Sequence, residues 1–423
     1  MKKILLLSVL ATCFASSYAD QNIEIIGGSG SGNPKLAIIN FDNDDGSIVD
    51  EITNDFKITG DFNVINAVSK DAIDPSVKYI ISGAVAANPT TGQSSISYTL
   101  SSNESNNLIL SKSIEFNDNS KRKAIHSIDN NIYKAITQTP GIFTSKIAAA
   151  TKNGSKYSLI ISDYDGYNPK TLLSTNRPIT SLSWNNSGNS ISYVTYEKSK
   201  PVVYVQNLSA GTRYEVANFN GSNSSPAFTP NNQQIAVTLS KDYGSHIYLV
   251  SNKPYSSISR AIPLINYGTI DTEADIAKNG KMIFTSDHDG GPQIFMSDLY
   301  GSAPARVTQN LGKYNTTGRF SNDASKITFI NRDSGTLRTY VMDLTTKSSF
   351  PISQGTGHDL SPSFAPNDKL VLFSSDNFMY ISNITGTTQT KLKSPIFGQI
   401  IDQKWAKDFD WFYTEIDINV IML

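Results

Sequence analysis

Short apolar runs alternate with polar turns over the part of the chain that follows Pro140-Gly141. One pattern recurs there: an aromatic or branched apolar anchor, a short polar turn, and a strand-like apolar run. The anchors are Trp184, Phe228, Ile276, Phe320, Phe364 and Trp405, and they are spaced by 44, 48, 44, 44 and 41 residues. A repeat of this length with several short strands predicts the four-stranded blades of a β-propeller.

The number of blades follows from the two ends of the repeat region. Five anchors each lead into a full blade, whereas the strands predicted at Lys146–Ala150, Tyr157–Asp163 and Lys170–Ser174 have no anchor strand before them. The run Ile400–Trp405 is the strand left over at the other end. If it joins those three, six blades close into a ring without the free sheet edges that promote aggregation.

Residues 34–140 follow a different pattern. Lys35–Phe41 and Tyr79–Gly83 are apolar runs typical of buried strands, while Ser95–Ser101 and Leu108–Phe116 alternate as half-buried strands do. Apolar residues at helical spacing predict two helices, and Ser47 is the expected cap of the first. They are Ile48, Val49, Ile52 and Phe56, then Ala124, Ile125, Ile128, Ile132 and Ile136. The sequence thus predicts a small α/β N-terminal domain followed by an all-β six-bladed propeller over residues 141–423.

Residues 1–19 have the features of a secretory signal peptide. Lys2 and Lys3 precede a short apolar run, and small residues precede a cleavage site ahead of Asp20. Cys13, the only cysteine, lies in this peptide, so a mature chain would have no disulfide and no thiolate site. Lipoprotein cleavage ahead of Cys13 is the alternative, for which Thr12 is a poor fit. We expect a periplasmic protein with no transmembrane segment.

The charge composition argues against nucleic acid and anionic membranes as partners. Charged residues make up 17% of the chain and the net charge is −1. Such a chain has no basic field that would attract nucleic acid or an anionic membrane. Nucleic-acid binding is therefore not expected.

Few residues of the sequence indicate catalysis or metal binding. Asp163, Asp165 and Gly166 resemble the start of a calcium loop, but its twelfth position is Ser174 and not the acid that such a loop requires. Similar residues recur at the corresponding position of the other repeats. This recurrence favours a turn between the third and fourth strands of a blade over a calcium loop. The four histidines lack metal-ligand spacing, and Gly27–Gly32 matches neither a nucleotide-binding nor a nucleophile motif. We expect no catalytic residue, no metal and no cofactor.

The predicted propeller offers one candidate binding surface. The loops that enter the innermost strands reach one mouth of the central channel, and they carry polar residues of mixed charge. These are Ser181, Ser224-Ser225, Asp271-Thr272-Glu273, Asn315-Thr316-Thr317 and His358-Asp359. With little chemistry and much rigid surface, binding to another protein is the expected function.

In three stretches the chain resembles the TolB family, the periplasmic components of the Tol–Pal system. They are Ser162–Asn168, Asp271–Glu273 and Phe284–Asp287, and the order of a small domain before six blades agrees as well. The resemblance implies a non-enzymatic adaptor that supports outer-membrane integrity and constriction during cell division. It implies that Pal, the peptidoglycan-associated lipoprotein, docks at the propeller mouth. Colicins or other outer-membrane proteins are further implied partners.

The resemblance also implies which residues bind. Thr272 and Glu273 match the family's channel-mouth positions, and Ser225, His358 and Asp359 are the other Pal-binding candidates. These five residues all belong to the loops described above.

Residues 20–33 correspond to the extended segment that binds TolA in the family. Its apolar residues here are Ile23, Ile25 and Ile26, and such a segment can add as a strand to a partner's sheet. A flexible hinge, Gly27–Gly32, follows it, with Gly27 and Ser31 where relatives often carry aspartate. We expect the segment to leave the body without unfolding either domain.

An alternative of a different class is a periplasmic propeller enzyme or carbohydrate-binding protein with its ligand in the channel. It requires a cation or a pair of carboxylates there. Glu273 and Asp359 are the pair that the channel offers.

Overall fold

A computed structural model describes residues 32–88, 93–241, 243–333, 335–392 and 398–407, and the backbone of residues 24–26 and 421–422. The predicted signal peptide lies outside the described residues. Among the described residues, none of the helices combines the length and the apolar character needed to cross a membrane. The predicted fold class is confirmed: a small α/β domain precedes a six-bladed propeller.

The α/β domain is a five-stranded mixed sheet with two helices. After a short strand β1 (Glu24–Ile26), its elements in chain order are β2 (Lys35–Ile39), α1 (Ser47–Thr59), β3 (Asn63–Ala67), a 3₁₀ turn (Lys70–Ala72), β4 (Tyr79–Ala87), β5 (Ser94–Ser102), β6 (Leu108–Phe116) and α2 (Lys121–Thr137). The strand order is β3-β2-β4-β5-β6, with β2 parallel to β3 and to β4. Ile52 and Phe56 on α1 and Ile128 and Ile132 on α2 are fully buried, whereas Ile136 at the end of the α2 stripe is partly buried.

Helix α1 begins at Ser47 itself, so its N-cap is the preceding residue, Gly46. Ser47 is its first helical residue, and the carboxylate of Asp44 accepts hydrogen bonds from the backbone N–H groups of Gly46 and Ile48, both at 3.0 Å. Asp44 therefore satisfies the donors that a helix N-terminus leaves open, and the expectation for Ser47 is wrong.

The propeller consists of six antiparallel sheets, with blade 1 built from both ends of the repeat region. Blade 1 contains β7 (Lys146–Asn153), β8 (Lys156–Asp163) and β9 (Lys170–Thr175); blade 2 contains β10 (Ile179–Trp184), β11 (Ser190–Thr195), β12 (Val202–Asn207) and β13 (Thr212–Ala217); blade 3 contains β14 (Asn223–Phe228), β15 (Gln234–Lys241), β16 (Gly244–Ser251) and β17 (Ile262–Ile265). Blade 4 contains β18 (Asp271–Ile276), β19 (Lys281–Ser286), β20 (Gln293–Asp298) and β21 (Ala305–Arg306); blade 5 contains β22 (Asn315–Phe320), β23 (Lys326–Asp333), β24 (Thr336–Asp343) and β25 (Ser349–Pro351); blade 6 contains β26 (Asp359–Phe364), β27 (Leu370–Ser375), β28 (Phe378–Asn383) and β29 (Gln389–Lys391).

The ring closes as the sequence predicts. Strand β30 (Gln399–Trp405) pairs antiparallel with β7, with Trp405 opposite Ile147, and becomes the innermost strand of blade 1. Closure by both ends of the repeat region joins the last blade to the first through backbone hydrogen bonds.

Two adjacent blades gain a fifth, outer strand. Strand β1 pairs antiparallel with β29 of blade 6, placing Ile25 opposite Thr390, and β31 (Ile421–Met422) pairs parallel with β9 of blade 1. The added strands cover the outer edges of the two blades that meet at the ring closure.

The hairpin between β8 and β9 anchors the α/β domain to the propeller. This hairpin is the Asp163–Gly166 stretch, and it is a turn as predicted. Tyr164 is fully buried, and its hydroxyl donates a 2.5 Å hydrogen bond to Oδ1 of Asp55 on α1. Arg122 on α2 pairs with Asp165, and its other Nη donates to Oε2 of Glu51 at 2.5 Å. The hairpin thus contacts both helices.

A buried histidine lies in the same cluster. Nδ1 of His126 is 2.7 Å from Oδ2 of Asp55, and Nε2 faces Oε1 of Glu51 at 3.6 Å. Burial opposes the charge on His126, but Asp55 outweighs it and raises the pKa of His126 to about 9. Burial, followed by the charge of Asp55, raises the pKa of Glu51 to about 7. His126 is thus held as a cation between two carboxyl groups.

The stability that His126 contributes is expected to fall as the pH rises through about 9. The pKa of His126 is raised in the folded state, so its contribution is complete below the ordinary value of 6.5 and is lost as the pH rises through about 9. The loss is on the order of 3 kcal/mol in the free energy of unfolding at most. Urea unfolding at pH 6.5, 8 and 9.5 measures it.

The matched variants are His126→Gln and His358→Gln, the second at an exposed histidine. As the pH rises from 6.5 to 9.5, the His126→Gln variant is expected to gain stability relative to wild type. The His358→Gln variant is expected to keep a constant difference from wild type. Parallel curves for wild type and His126→Gln would contradict the assignment.

Candidate functional site

The innermost strands of five blades share a bulge near the channel mouth. In blades 2 to 6 the third residue of the innermost strand has a positive φ, and the pairing register shifts there. These residues are Ser181, Ser225, Glu273, Thr317 and Ser361, with φ of 57°, 48°, 56°, 58° and 52°. Positive φ is uncommon outside glycine, and a bulge redirects a side chain from the strand alternation. The five partly exposed residues form what we call the mouth ring.

The first residue of the innermost strand fixes the preceding loop. In blades 3 to 6 it is a fully buried Asn or Asp: Asn223, Asp271, Asn315 and Asp359. Asp271 accepts hydrogen bonds from the backbone N–H groups of Tyr267 and Gly268 at 2.7 and 3.0 Å. Asn223 similarly accepts from the N–H of Phe219 at 2.9 Å. Asn315 donates through Nδ2 to the backbone oxygen of Leu311 at 3.0 Å, so three of these residues hold the loop that leads from the previous blade.

Asp359 therefore does not offer its carboxylate to a partner. Its side chain is buried, and Oδ2 accepts the backbone N–H of Thr339 in blade 5 at 2.8 Å. Burial raises the pKa of Asp359. The expectation that Asp359 lines the mouth as a contact, or forms a carboxylate pair with Glu273, is corrected by this burial.

Two of the expected contacts lie together. Oγ of Ser225 is 3.3 Å from Oγ1 of Thr272, and Oγ1 of Thr238 donates to the same Thr272 oxygen at 3.2 Å. These hydroxyls join blades 3 and 4 across the mouth. Ser225 and Thr272 are both partly exposed, so a partner can reach them.

Glu273 is the one acid of the mouth ring and joins blades 4 and 5. Oε2 accepts the backbone N–H of Thr317 at 2.9 Å and the hydroxyl of Thr285 at 3.1 Å, while Oγ1 of Thr317 lies 3.2 Å from both carboxylate oxygens. Nη1 of Arg319 donates to the backbone oxygen of Glu273 at 3.1 Å. The carboxylate is held in one place, which lowers the entropy cost of binding a partner.

His358 lies apart from this group. It is exposed, and its Nδ1 accepts the backbone N–H of Leu337 from blade 5 at 3.1 Å. The structure therefore brings Ser225, Thr272 and Glu273 together, places His358 on the side of blade 6, and buries Asp359.

The N-terminal segment lies at a separate place. Ile23 falls outside the described residues, while Ile25 and Ile26 belong to β1 on the outer edge of blade 6. The chain then reaches Asn33, whose Nδ2 donates to the backbone oxygen of Gly60 at 2.5 Å. A side chain at Gly60 would collide with Thr388, the residue before β29. The segment is thus anchored where the α/β domain meets blade 6.

Sequence reasoning missed the carboxylates that join neighbouring innermost strands. Oδ2 of Asp275 accepts the backbone N–H of Phe320 at 2.8 Å, and Oδ2 of Asp402 accepts that of Leu182 at 2.6 Å. Both residues directly follow the bulge region of their strands. The repeat gave no signal for them, because the two acids stand at different distances from their anchors, three residues before Trp405 and one before Ile276.

Comparisons with known proteins agree with this architecture. The family model described as the TolB beta propeller domain matches residues 133–408. The Tol-Pal system protein TolB of Bordetella pertussis is 34% identical over 312 residues, which are 70% of each chain. The corresponding protein of Francisella tularensis is 31% identical over 268 residues, or 60% of each chain. The crystal structure of TolB from Acinetobacter baumannii has a TM-score of 0.81 and 29% identity, and the match covers 91% of this chain and 99% of that one.

Substitutions at the mouth should separate the residues that hold it from those that line it. Asp359→Ala is expected to lower the free energy of unfolding by about 2–3 kcal/mol, because the N–H of Thr339 loses its buried acceptor. Ser225→Ala, at a partly exposed site, should stay within roughly 0.5 kcal/mol of wild type. Urea unfolding of both variants is the measurement, and equal stabilities would contradict the structural role of Asp359.

Proposed function

Because the chain belongs to the TolB family of Tol–Pal system proteins, we propose that it is a periplasmic, non-enzymatic adaptor that binds two partners at two places. Pal binds at the mouth of the propeller, and TolA binds the N-terminal segment. In this role the protein supports outer-membrane integrity and constriction during cell division. Colicins or other outer-membrane proteins are further candidates for the same surfaces.

The observation that carries the Pal proposal is the hydrogen-bonded group at the mouth. Ser225, Thr272 and Glu273 are partly exposed, and inter-blade hydrogen bonds hold them in fixed positions. A preorganised polar surface loses little side-chain freedom when a partner binds. His358 extends this surface towards blade 6 as a more peripheral contact.

The TolA proposal rests on the way β1 is held. Three residue pairs join β1 to β29, from Glu24 opposite Lys391 to Ile26 opposite Gln389. So short an edge strand forms few backbone hydrogen bonds and can exchange them for those of a partner's sheet, which is how β-strand addition works. The apolar Ile23, Ile25 and Ile26 are the residues we assign to that contact.

The two sites are linked in this proposal through blade 6. The edge strand docks on β29, and Oε1 of Gln389 in that strand accepts the backbone N–H of Gln354, in the loop before β26, at 2.7 Å. If Pal changes the position of blade 6 at the mouth, it changes the docking of β1, and the binding of the two partners is coupled.

The structure does not provide the pair of carboxylates that a channel enzyme or a carbohydrate-binding protein would require. That pair was Glu273 with Asp359, and the carboxylate of Asp359 is buried against the backbone of blade 5. The hydrogen bonds of Glu273 within the ring favour the adaptor instead.

Calorimetric titration with the soluble domain of Pal tests the mouth. Thr272→Val and Glu273→Gln are each expected to weaken binding by about tenfold or more, equivalent to roughly 1.4 kcal/mol. Glu104→Gln, in an exposed turn of the α/β domain, is the matched control and should bind as wild type does. Undiminished Pal binding by the folded mouth variants would exclude the mouth as the site.

Deletion of residues 20–32 tests the second site. The truncated protein is expected to lose binding to the TolA domain and to keep its affinity for Pal, because β1 lies on the outer edge of blade 6 and not at the mouth. The same titration with and without saturating Pal measures the coupling. Equal TolA affinities in the two conditions would rule out the proposed linkage.

A further inference from the structure

A cavity lies on the channel axis beyond the mouth ring. All six innermost strands contribute to its wall, and it contains about 510 Å³ of space, part of it open to solvent. The wall includes the aromatic anchors Trp184, Phe320, Phe364 and Trp405, and the charged residues Asp275, Arg319, Lys404 and Lys407. We call this the inner cavity.

The acids around the inner cavity are already engaged by the protein. Oδ2 of Asp275 accepts the N–H of Phe320 at 2.8 Å, and its Oδ1 lies 3.6 Å from Nζ of Lys407. Oδ2 of Asp402 accepts the N–H of Leu182 at 2.6 Å. These carboxylates join neighbouring blades, so their negative charge is directed into the wall.

The cationic side chains around the inner cavity form fewer hydrogen bonds with the protein than they could. Lys404 is only 7% exposed, and within the described residues its Nζ has one hydrogen bond, to the backbone oxygen of Pro362 at 3.4 Å. Arg319 donates through Nη1 to the backbone oxygens of Glu273 and Gly318, at 3.1 and 2.7 Å. An ammonium group has three donors, and burying donors without acceptors is costly.

An oxyanion in the inner cavity would supply those acceptors. Charge-assisted hydrogen bonds from an ammonium and a guanidinium are shorter and stronger than neutral ones. The aromatic anchors would contact the carbon skeleton of an organic ligand, which an inorganic ion lacks. We infer that the inner cavity is a binding site for a small organic carboxylate, held by Lys404 and Arg319. This site lies beyond the mouth contacts that we assign to Pal and adjoins them, because Arg319 donates to the backbone oxygen of Glu273.

The titration of Lys404 gives the site a pH dependence. Burial and the nearby Arg319 lower the pKa of Lys404 to about 7. A bound carboxylate favours the ammonium form, so binding should be stronger below pH 7 and should take up a proton above it. Asp402, Asp275 and Glu273 also face Lys404 and partly oppose the lowering.

The test uses acetylglycine as the carboxylate probe and N-acetylglycinamide as its neutral counterpart, titrated calorimetrically into residues 20–423. Acetylglycine is expected to bind at least tenfold more tightly than the amide at pH 6.5. Between pH 6.5 and pH 8.5 its affinity should fall by roughly tenfold, as Lys404 loses its proton. Sulfate, titrated in parallel, should bind more weakly than acetylglycine.

Two variants identify the residues. Lys404→Met is expected to weaken acetylglycine binding at least tenfold at pH 6.5 and to remove the pH dependence, whereas the exposed control Lys278→Met should behave as wild type. Arg319→Gln, on the innermost strand of blade 5, provides a second test if Lys404→Met does not fold, and should also weaken binding.

Several results would overturn the inference. Equal binding of the acid and the amide, or the absence of binding by either, would exclude a carboxylate site. Sulfate binding as tight as that of acetylglycine would exclude the organic part. Wild-type affinity that does not change between pH 6.5 and pH 8.5 would exclude Lys404 as the ligand-binding amine. None of these results depends on whether Pal or TolA binds.

Discussion

The contact between Tyr164 and Asp55 is the constraint on which the arrangement of the two domains depends. A tyrosine at the tip of a blade hairpin is fully buried in the other domain, where its hydroxyl reaches a carboxylate that also faces His126. The ring of Tyr164 lies 5.7 Å from that of Phe143 and stacks at 6.5 Å on Trp405, the anchor of the closing strand. One side chain therefore joins helix α1, the segment between the domains and the strand that closes the ring. Removing a buried partner from such a network costs more than a surface contact does, because the remaining charge loses its hydrogen bond.

The same construction leaves the mouth and the N-terminal edge as the two places where we propose that partners bind. At the far end of the innermost strands the apolar core is continuous between the α/β domain and blades 1 and 6, and it includes Ala365, Leu372 and Trp405. The opposite end keeps the bulges, the half-exposed hydroxyls and Glu273. Strand β1 docks beside the domain boundary, so a rigid boundary gives it a fixed place to dock and to leave.

The fold could be predicted from the sequence because it depends on local patterns of apolar and polar residues that repeat along the chain. The spacing of the anchors from Trp184 to Trp405 gave the blade period, and the missing strand beside Lys146 predicted the closure that pairs Trp405 with Ile147. The site was less accessible to such reasoning. Thr272 and Glu273 lie in the innermost strand of blade 4. Asp359 belongs to a column of buried residues, and its own role depends on the N–H of Thr339 in the neighbouring blade. Spacing alone cannot distinguish a residue that holds a loop from one that lines the mouth, and Asp55 gave no sequence signal of its tyrosine partner.

The most direct test of this account is the thermal unfolding of residues 20–423 by differential scanning calorimetry at pH 7. If the Tyr164 contact makes the two domains one cooperative unit, unfolding should show a single transition whose calorimetric and van't Hoff enthalpies agree. Tyr164→Phe should lower the midpoint and split the transition or reduce that agreement. Two separate transitions in the wild-type protein, one for each domain, would contradict the account.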